Sequence, residues 1–295
     1  MNHVPEIAVP AAATLGEGVC WDAERQCLYW VDILEKELHI YDPVTGTDRC
    51  IQIGQYIGAT VPTADGNLLL ALQNGLYRFD LETEAITLVC NPEADQPNNR
   101  FNDGKCDPAG RFWAGTMQLE GQGKTGALYR MDADLSLNKQ FGGVGISNGL
   151  AWSPNRTTMY YIDTPTCEVA AFDYDLATGA IANRRALITF SHDLGHPDGM
   201  TIDEEGMLWV CFFGGGRIAR CNPANGEELD EIIFPVSNIT NCVFGGPDLD
   251  TLFASTARLA LTETQLAEQP LAGHIFRVKP GVRGLAPLPF GGGEL

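Results

Sequence analysis

The chain is poor in basic residues: 19 Lys and Arg stand against 38 Asp and Glu, for a net charge of −19. Such a balance argues against nucleic acid or an anionic membrane as partner, because both need a cationic face. No apolar run approaches the roughly 18 residues of a membrane span. The N-terminus lacks the basic and apolar regions of a secretory signal, so cytoplasm is the default expectation. His-Glu-x-x-His is absent, which removes the zincin signature. The nine cysteines are odd in number and include no Cys-x-x-Cys pair. Spread over 295 residues, they read as free, buried thiols rather than a disulfide framework.

What the chain does have is 33 glycines, a 44% apolar fraction and a repeat. Short strand-like runs, such as Leu28-Tyr-Trp-Val-Asp32, Arg111-Phe-Trp-Ala-Gly115 and Met207-Leu-Trp-Val-Cys211, recur roughly every 40 to 48 residues. Most follow a turn rich in Asp, Asn, Pro and Gly, as at Asp107-Pro-Ala-Gly110 and Asp203-Glu-Glu-Gly206. A second run follows each first one, as in Leu76-Tyr-Arg-Phe-Asp80 and Leu128-Tyr-Arg-Met-Asp132, with the alternation of a half-buried strand. Six such units predict an all-β fold, a six-bladed β-propeller occupying residues 1–295 as a single domain. A pair of β-sandwiches explains the strand spacing but not the six paired runs. One short helical turn is expected from Glu263 to Gln269, ended by Pro270.

Aligning the units on their turns brings Glu17, Gly58, Asn102, Asn148, Asp198 and Thr240 to one register position. In a propeller, equivalent positions before the innermost strands meet at the channel mouth. Two carboxylates with amide oxygens, and no Cys or His, suit a hard divalent cation such as Ca²⁺, Mg²⁺ or Mn²⁺. The competing reading is that Asn148-Gly149 and Asp198-Gly199 simply make turns. It does not account for Glu17, a poor turn residue, nor for recurrence in four repeats. Phe213-Gly-Gly-Gly-Arg217 lies between two strands and reads as a hairpin turn, not a phosphate loop.

The stretch from Asn99 to Met117, with Ile146-Ser-Asn-Gly-Leu150, Tyr160-Tyr-Ile-Asp163, Pro197-Asp-Gly-Met200 and Cys242-Val-Phe-Gly-Gly246, resembles the regucalcin/gluconolactonase family, also called the senescence marker protein family. The resemblance runs from Leu15 to about Pro289 and implies a six-bladed propeller with one divalent metal ion in its central channel. It implies Glu17, Asn148 and Asp198 as metal ligands, with Ca, Mn, Zn or Mg as the ion. Arg100, Asn102 and Glu120 match substrate-contacting positions; Glu120 is placed by counting from Gly115-Thr-Met117. The implied activity is hydrolysis of sugar lactones such as gluconolactone to aldonic acids, within carbohydrate metabolism, with Asp198 also the catalytic base. Whether Asp198 or a metal-bound hydroxide is the effective base stays open at this level, as do the preferred sugar and the oligomeric state. Competing readings are an esterase or organophosphate hydrolase on the same scaffold, and a calcium-binding regulatory protein.

Overall fold

A computed structural model describes residues 3–121 and 123–291. Residues 1–2, 122 and 292–295, which the expected domain also includes, lie outside the described residues. Six four-stranded antiparallel sheets account for nearly all the regular structure. They are the blades of the expected propeller. The innermost strands are Gly16–Asp22, Ile57–Pro62, Asn99–Cys106, Ser147–Trp152, His196–Ile202 and Ile239–Gly245, in blades 1 to 6. Each touches the inner strands of both neighbouring blades, which closes the ring.

The runs read from the sequence are the second and third strands of each blade. The second strands are buried along their middles, and Cys27–Asp32 and Leu68–Leu72 throughout, because each blade packs against a neighbour on both faces. Only outer strands such as Thr47–Gln52 are largely exposed. The core therefore lies between blades. Trp113 and Leu128 of blade 3, for example, pack with Leu150, Met159 and Tyr161 of blade 4.

The Asp-rich turns join inner to second strands. Asp107 Oδ1 accepts from the backbone N–H of Ala109 and Arg111, and Oδ2 accepts from Trp113 Nε1 at 2.9 Å and the Tyr174 hydroxyl at 2.8 Å. In blade 5, Asp203 accepts from Met207 N and from Trp209 Nε1 at 3.0 Å. Each carboxylate thus fixes a hairpin and satisfies a buried indole at once.

Two features extend what the repeat predicts. Glu6–Val9, from the N-terminus, is the outer strand of blade 6 and pairs with Ile275–Val278, so the last blade is assembled from both ends of the chain. The 284–290 segment bridges Asp203 at Gly284 and Thr63 at Phe290. It crosses the channel end where the inner strands finish, covering a cavity of about 360 Å³ lined by Asp107, Trp152, Ile202 and Leu288. The helix Glu263–Glu268 carries a capping box between Thr262 and Gln265. None of the nine cysteines is paired; six are buried, whereas Cys50 is exposed, against expectation.

Candidate metal centre

Near its start, every inner strand is irregular. The register with the second strand shifts between Glu17 and Cys20, Ile57 and Ala59, Phe101 and Gly104, Ser147 and Leu150, Pro197 and Met200, and Ile239 and Asn241. A bulge re-aims side chains that a regular ladder would send into a blade face. Every blade of the ring carries such a bulge near the start of its inner strand. Asn148 and Asp198 accordingly sit within strands, not in the turns that a bare Asn-Gly or Asp-Gly pair suggests.

Glycines at these bulges permit close approach. A Cβ at Gly58 would lie 2.3 Å from the Asn102 carbonyl oxygen, and one at Gly199 would lie 2.4 Å from Asn241 Cγ. Neighbouring inner strands could not approach this closely with side chains there.

Two hydrogen-bonded groups result. Arg100 donates to the Phe101 carbonyl at 2.9 Å and to Asn102 Oδ1 at 2.6 Å. Asn102 Nδ2 donates to Asn148 Oδ1 at 2.9 Å and to the Ser147 carbonyl. Asn148 Nδ2 donates to Thr164 Oγ1, which donates to the Pro197 carbonyl. On the other side, Glu17 Oε2 accepts from Gly18 N at 3.0 Å and Asn241 Nδ2 at 3.3 Å.

Glu17, Arg100, Asn102, Asn148, Asp198 and Asn241 are buried, from 2% exposure at Asn148 to 6% at Arg100 and Asp198, while Thr164 is half-buried. Burial, and then the charge of Asp103, pushes the Glu17 carboxyl up to about 8. Burial, followed by Glu17 and Asp103, holds Asp198 well above the usual carboxylate range. Burial brings Arg100 down to about 10, against the opposing pull of Glu17. Asp198 Oδ1 and Asp103 Oδ2 are buried without a hydrogen-bond partner. Three crowded carboxylates, two of them with an orphaned oxygen, set against Arg100 and Lys105, are what a divalent cation would relieve. With an amide oxygen from Asn148, the donor set is all oxygen and fits a hard cation.

The structure thus brings Glu17, Arg100, Asn102, Asn148 and Asp198 together. Glu120 is exposed in the turn after Phe112–Gln118 and forms no hydrogen bond to the set. Thr240 also departs from its expected place. Its hydroxyl donates to the Gly16 carbonyl and contacts Ser255 Oγ at 2.8 Å, within the blade junction. The bulge gives the axial position to Asn241.

Asp103 and Lys105 were not legible either. Asp103 follows Asn102 directly, and only the bulge puts both beside the same carboxylates; Lys105 Nζ reaches the Met200 carbonyl at 2.7 Å. A Gly-x-Ser-x-Gly spacing does occur at Gly145-Ile-Ser-Asn-Gly149. Ser147 is nonetheless fully buried on an inner strand, its Oγ accepting from the Tyr161 hydroxyl at 2.9 Å with no histidine bonded to it. It is not a nucleophile elbow.

Residues 15–258 match the SMP-30/Gluconolactonase/LRE-like region. This chain belongs to that family. YvrE of Bacillus subtilis (strain 168), whose name places it provisionally among sugar lactone lactonases, is 42% identical over 280 residues, covering 95% of this chain and 96% of YvrE. Regucalcin of Xenopus laevis is 38% identical over 293 residues, covering 97% and 98%. The crystal structure of a regucalcin from Agrobacterium tumefaciens str. C58, described as a calcium-binding protein, superposes with a TM-score of 0.94 at 27% identity, covering 98% of each chain. Family membership accords with the six-bladed architecture. Among the described residues, no helix is long and apolar enough to cross a membrane.

Proposed function

We propose that this protein is a divalent-cation-dependent sugar lactonase, opening aldonolactones such as gluconolactone to aldonic acids. The observation that carries the reading is Asp198: a buried carboxylate with one unpartnered oxygen, beside Glu17, Asn148 and a buried arginine. The lactonase name of YvrE and the calcium-binding description of the Agrobacterium structure support the activity and the cation respectively. Pairing of Glu6–Val9 with Ile275–Val278 supports reading the whole chain as one domain. A cytoplasmic enzyme of carbohydrate metabolism is the corresponding setting.

In this reading Glu17, Asn148 and Asp198 hold the cation, with Ca²⁺, Mn²⁺, Zn²⁺ and Mg²⁺ as candidates. Bound there, a divalent cation supplies Lewis-acid polarisation of the lactone carbonyl and acidifies attacking water. Asp198, whose carboxyl burial raises well above its ordinary value, would be favoured in its ionised form by a cation held there and would then accept the water proton. As the acyl C–O bond breaks, that proton passes to the leaving ring oxygen. Asn102 is locked by Arg100 and Asn148, so its amide presents a fixed orientation. Arg100 and Asn102 hydrogen-bond the sugar hydroxyls or the ring ester, and such contacts discriminate strongly between substrates. Glu120, in its exposed turn, is the remaining proposed substrate contact.

The test is a panel of glucono-, galactono-, arabino- and xylonolactone, offered to metal-stripped protein reconstituted with each cation. Hydrolysis should return with the cation and be lost in Glu17→Ala and Asp198→Ala, which retain the fold. Wild-type turnover in either variant overturns the site. Calcium binding without turnover of any lactone would favour the second reading, a calcium-binding regulatory protein, which the description of the Agrobacterium regucalcin suggests.

A further inference from the structure

Beside the proposed centre lies a second set of metal-ligating side chains of opposite chemical character. Cys167, His192 and His196 each offer a ligand atom, and the three atoms lie within 4.8 Å of one another. Cys167 Sγ is 3.2 Å from His192 Nδ1. These residues come from three different segments. Cys167 ends the 3₁₀ turn Thr164–Thr166, His192 opens the 3₁₀ turn His192–Leu194, and His196 begins the inner strand of blade 5.

Their convergence is built by the backbone. Cys167 holds a left-handed conformation, φ 52°, uncommon for a residue with a Cβ. Its N–H donates to the Thr164 carbonyl, and its carbonyl accepts from Phe190 N at 2.8 Å. The thiol is buried while both imidazoles are exposed, so a solvent-borne ion can enter from the histidine side.

We infer that Cys167, His192 and His196 form a binding site for a soft or borderline transition-metal ion, with zinc(II) the expected occupant. One thiolate and two imidazoles are ligands zinc favours, at roughly 2.3 Å for sulfur and about 2.0–2.1 Å for nitrogen. Drawn in to those lengths, the trio would fill three tetrahedral positions and leave the fourth to water. On binding, the thiol proton passes to solvent and a sulfur–zinc bond forms, with both imidazoles neutral.

The oxygen-only set at Glu17, Asn148 and Asp198 and this S/N/N set therefore sort cations by softness. The two are mechanically joined. Thr164, three residues before Cys167, bonds both Asn148 and the Pro197 carbonyl, and Pro197 follows His196. Zinc here would rivet the rim of blade 4 to that of blade 5.

A further trio, Glu37, His39 and Cys50, meets the same distance criterion. There His39 is stacked on Trp30 with centroids 3.7 Å apart and bonded through Nδ1 to Asp48 at 2.7 Å, which leaves only Nε2, 3.5 Å from Glu37, to meet an ion. That makes Cys50 the internal control.

The test uses cobalt(II) as a spectroscopic stand-in, added to the full-length, metal-stripped, reduced protein. A thiolate-to-cobalt charge-transfer band should appear, saturate at one equivalent and be displaced by zinc; oxygen ligands at Glu17 and Asp198 give no such band. Cys167→Ser should abolish it and Cys50→Ser should leave it. His192→Ala and His196→Ala, both at exposed positions, should each weaken zinc binding on the order of tenfold or more, since even groups that only orient ligands carry effects of that size. No band, a band that survives Cys167→Ser, or one lost in Cys50→Ser overturns the site. So does unchanged zinc affinity in both histidine variants.

Discussion

Asn241 Nδ2 donates to Glu17 Oε2 at 3.3 Å, joining residues 224 positions apart in the chain. The contact lies at the junction of blades 6 and 1, where the ring closes. Asn241 is itself held by Cys242 N, which donates to its Oδ1 at 2.8 Å. That bond points the amide nitrogen at the carboxylate. A residue that orients a metal-binding carboxylate acts on affinity without touching the ion.

Asn241→Ala should therefore weaken cation affinity about 10- to 100-fold. Titration calorimetry on metal-stripped protein measures it. Unchanged affinity would show that Glu17 is positioned by the strand alone.

The buried carboxylates set a pH dependence of known sign. Glu17 has an ordinary value of 4.5 and is raised to about 8 in the folded, cation-free protein. Between those values the folded state keeps a proton that the unfolded chain has released. Stability of the cation-free protein should then fall as pH rises from about 4.5 through 8, with Asp198 acting in the same direction. Saturating cation should flatten the profile, because it favours the ionised forms. Melting curves across this window, with and without chelator, decide it; rising stability in chelator would contradict the burial described.

Gly199→Ala should destabilise the fold by about 1–3 kcal/mol, since the new Cβ would lie 2.4 Å from Asn241 Cγ and 2.6 Å from Asn241 Cα. Urea unfolding gives the loss. Because Asn241 must move, cation affinity should fall as well, and an effect on stability alone would separate the two roles of the strand contact.

Arg100→Ala should raise KM for the lactone with a smaller effect on kcat, as expected for a group that binds substrate and transition state alike. Steady-state kinetics on the preferred lactone test this. A large fall in kcat at constant KM would place the guanidinium in transition-state stabilisation instead.

Glu17, Asn102, Asn148 and Asp198 could be found from the sequence because the repeat carries its own ruler. Each lies four residues before a strand anchor, at Trp21, Cys106, Trp152 and Ile202. Counting aligned Asn102, Asn148 and Asp198 because the register shifts of their blades fall at the same distance from the anchors, while in blade 1 the shift begins one residue later, at Glu17. It failed in blade 6, where the register shift runs only from Ile239 to Asn241, one residue shorter than in blades 3 to 5, and Asn241, not Thr240, faces Glu17. A one-residue slip reverses the side of a strand on which a residue lies. Asp103 was hidden for the same reason: an ordinary strand would place it opposite Asn102.

The sequence by itself determined the number of blades, their middle strands and the hard-oxygen character of the axial set, because these are local patterns repeated along the chain. The tertiary structure alone decided that Glu6–Val9 completes the last blade. It alone added Asp103 and Asn241 to the axial cluster, left Glu120 exposed and gathered Cys167, His192 and His196. Each of these depends on the direction a side chain takes at a bulge or turn, or on contacts between distant segments, which no local period encodes.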